Sequence, residues 1–147
     1  MKNIAHQIGL DFWQDPTSNL AIVKSNKELI VYCSCWTDES GEDDDRIGKI
    51  IFSNCWYYEY YGFRTQPYAL ANQELSSYII YVKESELLSK ITDSRLNLYP
   101  QWKEWDFKEY KHYIVQGENS YVQIIASEFI SRYADIDESQ MFSYLKQ

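Results

Sequence analysis

Between Arg46 and Tyr61, ten of sixteen positions carry an apolar or aromatic side chain: Ile47, Ile50, Ile51, Phe52, Cys55, Trp56, Tyr57, Tyr58, Tyr60 and Tyr61. A β-strand turns successive side chains to opposite faces, so a run that is apolar at both parities has to be covered on both faces. The run is also longer than the five or six residues of an ordinary strand. It reads as a long β-segment interrupted by a bend or bulge near Ser53-Asn54.

The flanking sequence supplies partners for it. Residues 19–24 and 28–37 are two β-prone runs separated by the polar Ser25-Asn26-Lys27, a hairpin pattern. In the second run Leu29, Val31, Cys33 and Cys35 share one face, the expected core face, while Ile30, Tyr32, Ser34 and Trp36 share the other. Six acids in the eight residues Asp38 to Asp45 then predict an exposed, mobile loop capping a second hairpin, since their mutual repulsion opposes packing.

Farther on, residues 62–73 read as coil broken by Pro67, and residues 77–83 as a buried strand. Ser85 can cap a helix that starts at Glu86, places Leu87, Leu88 and Ile91 at helical spacing, and fades by about Arg95. A third hairpin joins Tyr113-Ile114-Val115 to Tyr121–Ala126 through residues 116–120. Asp137 and Gln140 have capping-box spacing, and Ile136 and Met141 hydrophobic-staple spacing, which predicts a short helix from Glu138 to about Lys146. Residues 1–18 show no sustained period. The fold class is therefore α+β, mainly antiparallel β-sheet built from hairpins, with one mid-chain helix and a short C-terminal helix. All of it is expected in a single domain spanning residues 1–147.

Charge and composition narrow the functions. A formal net charge of −8 repels phosphate backbones and anionic membranes, so nucleic acid and membrane are not expected as ligands. No apolar stretch approaches 18 residues, and Met1-Lys2-Asn3-Ile4 does not open a secretory signal. Three cysteines, Cys33, Cys35 and Cys55, are an odd number without a disulfide or zinc spacing, so reduced, metal-free thiols in a cytoplasmic protein are expected.

No catalytic residue is assigned. The five glycines are scattered and form no phosphate-binding pattern, and no nucleophile sits in a recognisable elbow. Consecutive acids in a loop do not hold the fixed separation that paired-carboxylate hydrolysis needs, and they lack the ligand order of an EF-hand. No cofactor is expected. Three features remain as binding candidates. Trp56, Tyr58 and Tyr60 belong to a stretch in which five of six residues are aromatic, a composition that suits either a doubly covered strand or an interface. Asp43, Asp44 and Asp45 could dock a basic partner. His112, in a predicted strand beside Tyr110 and Tyr113, is the candidate for lining a ligand site on an open sheet face.

The runs Gly48-Lys49-Ile50-Ile51-Phe52, Trp56-Tyr57-Tyr58, Lys111–Val115 and Tyr121–Ala126 resemble those of uncharacterised small acidic bacterial proteins, some of them similar to immunity proteins that neutralise secreted toxins. That resemblance implies a non-catalytic binding protein with a basic protein partner. Two other readings stand beside it: a small-ligand-binding or enzymatic α+β domain using His112, and a homodimer paired through the aromatic strand.

Overall fold

A computed structural model of the chain describes residues 2–146, which form an α+β fold of mostly antiparallel sheet. One five-stranded sheet places β1 (Ile4–Gly9), β7 (Tyr78–Lys83), β8 (Lys111–Gln116), β9 (Ser120–Ala126) and β6 (Tyr57–Gly62) side by side in that order. The other runs β10 (Glu128–Tyr133), β5 (Asp43–Ser53) and β4 (Glu28–Trp36), with the short β2 (Trp13–Gln14) and β3 (Ala21–Ser25) both pairing with the far side of β4.

The alternation of β4 explains how the sheets meet. Leu29, Val31, Cys33 and Cys35 are buried, as their shared parity predicts, and with Ile50 and Phe52 of β5 they form one wall of the main core. The opposing wall comes from the first sheet: Ile79, Tyr113, Val115, Val122 and Ile124. Each outer face has its own cover. Residues 63–77 lay Tyr68 and Leu70 over Ala5, Ile80, Val82, Ile114 and Tyr121 of the first sheet. On the second sheet the C-terminal segment brings Phe142 and Leu145 onto Ala21, Tyr32 and Ile47.

The long β-segment breaks where expected. β5 ends at Ser53, Asn54 adopts φ 53°, and β6 begins at Tyr57 in the other sheet. Asparagine is among the few residues that tolerate this left-handed backbone. β9 and β10 make the same passage at Ser127, alongside: Ser127 N donates to Ser53 O at 3.0 Å and Asn54 Nδ2 to Ser127 Oγ at 3.0 Å. Two paired segments, β5–β6 and β10–β9, thus fold over a common corner and tie the sheets together.

Several elements differ from the sequence expectation. β1, β2 and β10 were not anticipated, because each is specified by distant partners rather than by its own pattern. The mid-chain helix α1 (Glu86–Leu98) is capped by Ser85, whose Oγ accepts from Leu88 N at 2.9 Å, and it runs one turn past Arg95. The C-terminal helix α2 (Ile136–Met141) starts two residues earlier than expected, and its capping box is Asp135 with Glu138, not Asp137 with Gln140. Ile136 and Met141 are exposed and form no staple. Glu138 sets this register: its carboxylate reaches Lys49 Nζ at 2.6 Å and accepts from Tyr32 Oη at 2.5 Å, both on the sheet beneath.

Gly48 of β5 is crowded by Phe12, from the segment between β1 and β2, and by Cys35 of the neighbouring β4. A Cβ there would stand 2.5 Å from Phe12 Cε1 and 2.9 Å from Cys35 Sγ, both in the buried core. Gly48→Ala should therefore lower the unfolding free energy by about 1–3 kcal/mol. Urea denaturation checks this; an unchanged midpoint would mean that the Phe12 ring swings aside freely.

Candidate functional site

β6 is a margin strand. It pairs with β9 on one side, Tyr57 opposite Ile125 through Gly62 opposite Ser120, and among the described residues no strand pairs with its other side. The alternation divides its aromatic residues. Tyr58 and Tyr60 share one face and stand 43% and 52% exposed, while Tyr57, Glu59 and Tyr61 share the other. Tyr61 stacks on Tyr121 at 4.7 Å between ring centroids. The Tyr57 hydroxyl donates to Glu59 Oε2, and this bond, with help from Tyr61, holds the Glu59 carboxyl below its ordinary range. Just beyond the strand, Phe63 is 97% exposed and sits at φ 57°, a left-handed conformation that a bulky residue rarely takes.

Trp56 behaves differently from the tyrosines that follow it. It is half-buried, stacked on Tyr110 at 3.5 Å and edge-on to Trp102 at 5.2 Å. The Arg95 guanidinium lies 3.9 Å from its ring centroid and 4.5 Å from that of Trp102. Asp106 anchors the group: its Oδ2 accepts from Arg95 Nη1 at 2.9 Å and Tyr110 Oη at 2.6 Å, and its Oδ1 accepts from Lys108 N at 3.1 Å. Burial alone would raise the Asp106 carboxyl, but these hydrogen bonds outweigh it and hold the group ionised. The assembly borders a cleft of about 320 Å³ that also reaches Asn26, Lys27, Asn54 and Trp105. Arg95, Asp106 and Tyr110 escaped sequence reasoning, because nothing in their local patterns ties them to Trp56.

The acidic segment is shorter and more ordered than its composition suggests. Only residues 37–42 turn; Asp43, Asp44 and Asp45 already belong to β5. Asp44 is buried, so its proposed docking role is corrected to a structural one: its carboxylate accepts from Arg46 Nη2 at 2.8 Å, Nε at 3.1 Å and the backbone N at 2.9 Å. That fork pulls Asp45 and Arg46 out of register, since Ser34 pairs with Ile47 while Cys35 pairs with Asp44. Lys146 Nζ fastens the bulge by donating to the carbonyls of Asp44 and Arg46. Asp43 and Asp45 remain exposed.

His112 is 0% exposed, neither on an open sheet face nor at a solvent-facing strand start. It lies on the covered face of the first sheet, opposite Val82 and Ile125, with Tyr68 of the covering segment edge-on at 5.7 Å. Nδ1 is 2.7 Å from Ser85 Oγ and Nε2 is 2.8 Å from Gln123 Oε1. Ser85 Oγ accepts from Leu88 N, so its own proton serves Nδ1, and the neutral ring donates from Nε2 to Gln123. Burial pushes the imidazole down to about 4, against a smaller upward pull from Gln123. The chain Ser85–His112–Gln123 has the order of a nucleophile, a base and an orienting group, but its hydroxyl is spent capping α1.

Cys33 and Cys35 are buried in the core and Cys55 is half-buried; all three are free thiols. Among the described residues, no helix is long and apolar enough to cross a membrane. Of the residues singled out from the sequence, Tyr58, Tyr60, Asp43 and Asp45 are presented to solvent, while Trp56, Asp44 and His112 are engaged internally. Comparison with protein-family models, with curated proteins and with solved structures finds no match to this chain.

Proposed function

We propose that this is a non-catalytic binding protein of the immunity type, which docks on a basic protein partner in a bacterial cytoplasm. The observation that supports this most directly is the margin strand β6. It offers Tyr58, Tyr60 and, just beyond it, Phe63 to solvent on a molecule with a net charge of −8. Tyrosine supplies a large contact area with few torsions to freeze, and exposed aromatics concentrate at interface anchors. The acidic surface speeds encounter with a basic partner, and the aromatic residues slow its departure. The ligand-binding alternative loses its support, because His112 is enclosed and both its nitrogens are bonded.

A photo-crosslinking residue placed at Tyr60, with one at Ile130 on the other sheet as reference, tests the proposal in source cells. The Tyr60 position should capture one basic protein, which the Ile130 position does not. Association of that protein with the wild-type chain should slow as salt shortens the screening length from about 30 Å at 0.01 M to about 10 Å at 0.1 M. Equal products at the two positions, or a rate indifferent to salt, would rule the reading out.

A further inference from the structure

Strands at a sheet margin expose unpaired backbone groups, and proteins shield them with lysines, proline, bulges or a covering segment. β1 is closed by its parallel bridge to Leu70, by Ala71 N donating to Ala5 O at 2.7 Å and by Asn72 Oδ1 accepting from Gln7 N at 2.7 Å. β2 is two residues long, β3 carries Lys24, and β10 carries both Glu128 and Arg132. β6 has none of these devices across six residues, Tyr-Tyr-Glu-Tyr-Tyr-Gly, and its single charge is Glu59 at the middle.

Among the described residues Glu59 also has no cation in direct contact, and Lys90 acts on it only through space. Its neighbour across the sheet is the neutral Gln123, and its hydrogen-bond donor Tyr57 is a phenol. A two-fold antiparallel pairing of β6 with a second copy centred on Glu59 would set two carboxylates face to face, and like charges directly opposite oppose strand pairing. A foreign strand with a cation at that position is favoured by the same geometry.

Resting on the binding function above, we infer that β6 is the docking strand: the partner lays an extended segment along it as a sixth strand of the first sheet, with a lysine or arginine opposite Glu59. Backbone hydrogen bonds carry the pairing, and side chains at alternate positions set its specificity. The partner residues flanking the cation point to the face of Tyr58 and Tyr60, where apolar or β-branched side chains fit best.

Two synthetic heptapeptides, Thr-Val-Thr-Lys-Thr-Val-Thr and its counterpart with a central glutamate, test this against the full-length chain and its Glu59→Lys variant. Titration into nitrogen-15-labelled protein should shift the amides of residues 57–62 and leave those of β10 unmoved. The lysine peptide should bind the wild type about fivefold more tightly than the glutamate peptide, and the variant should invert that preference. Three results overturn the inference: shifts elsewhere than β6, a preference that survives Glu59→Lys unchanged, or dimerisation of the wild type through β6. The Tyr60 crosslink is independent of these peptides. A captured basic protein together with indifferent peptides would leave the binding function standing and remove strand addition alone.

Discussion

Asp106→Ala should lower the unfolding free energy by about 3 kcal/mol, whereas Tyr60→Ala should change it by less than about 0.5 kcal/mol, both measured by urea denaturation. Asp106 is buried and is the acceptor for the Arg95 guanidinium, itself wedged between Trp56 and Trp102. Removing the carboxylate leaves a largely desolvated cation without a partner and the Tyr110 hydroxyl without its acceptor. Trp56→Ala should also destabilise strongly, and the double variant should lose less than the sum, since both substitutions dismantle one cluster. Tyr60 has no such dependants. A cost below about 1 kcal/mol for Asp106→Ala would reduce the cluster to an ordinary surface ion pair.

Stability should fall with acid in two successive pH windows. The unfolded imidazole titrates near 6.5, but burial holds His112 at about 4 in the fold. Between those values the unfolded chain binds a proton that the folded one refuses, so stability falls as pH falls, by roughly 3 kcal/mol in all. Below that window the depressed carboxylates take over. Burial tends to raise the Glu138 carboxyl, but the bonds from Lys49 and Tyr32 prevail and bring it to about 2. Its contribution is present above its unfolded value and is lost as the pH drops through its folded one. Asp44, held down chiefly by Arg46, and Asp106 act in the same sense. The imidazole signal of His112 in NMR should still be that of the neutral ring at pH 5, and His112→Gln should flatten the fall in the upper window only. A ring that titrates near 6.5 in the folded protein would refute the enclosed, neutral histidine.

What the sequence made legible depended on whether the cause was local. The parity of β4, the break at Ser53-Asn54 and the Ser85 cap are written in adjacent residues, and each stands where expected. β1 could not be read this way. Its residues Ile-Ala-His-Gln-Ile-Gly have no clean period, and the strand exists because Ile4–Gly9 meets Lys83–Tyr78. Glu138 likewise moved the capping box by answering to Lys49 and Tyr32, roughly ninety and a hundred residues away in the chain. For the candidate site, the aromatic stretch Trp56 to Tyr61 was visible at once, but its division was not. Which of its rings point to solvent depends on β9 taking one side of β6 and on Arg95 and Tyr110 closing over Trp56. The acidic run misled for a related reason: composition announces repulsion, but says nothing of Arg46 and Lys146 gathering around Asp44.

The passage of both long segments over one corner has a consequence for the order in which the molecule is made. β6 finds its strand partner only in β9, about 60 residues farther along, and at about 5–20 residues per second the ribosome needs about 3–12 s to supply it. During that interval β6 lacks the strand it pairs with, so both of its edges are open, and the nascent chain depends on Glu59 and the acids of residues 38–45 to keep neighbouring chains apart. Translation that stalls between residues 62 and 120 should therefore yield aggregated rather than merely incomplete protein.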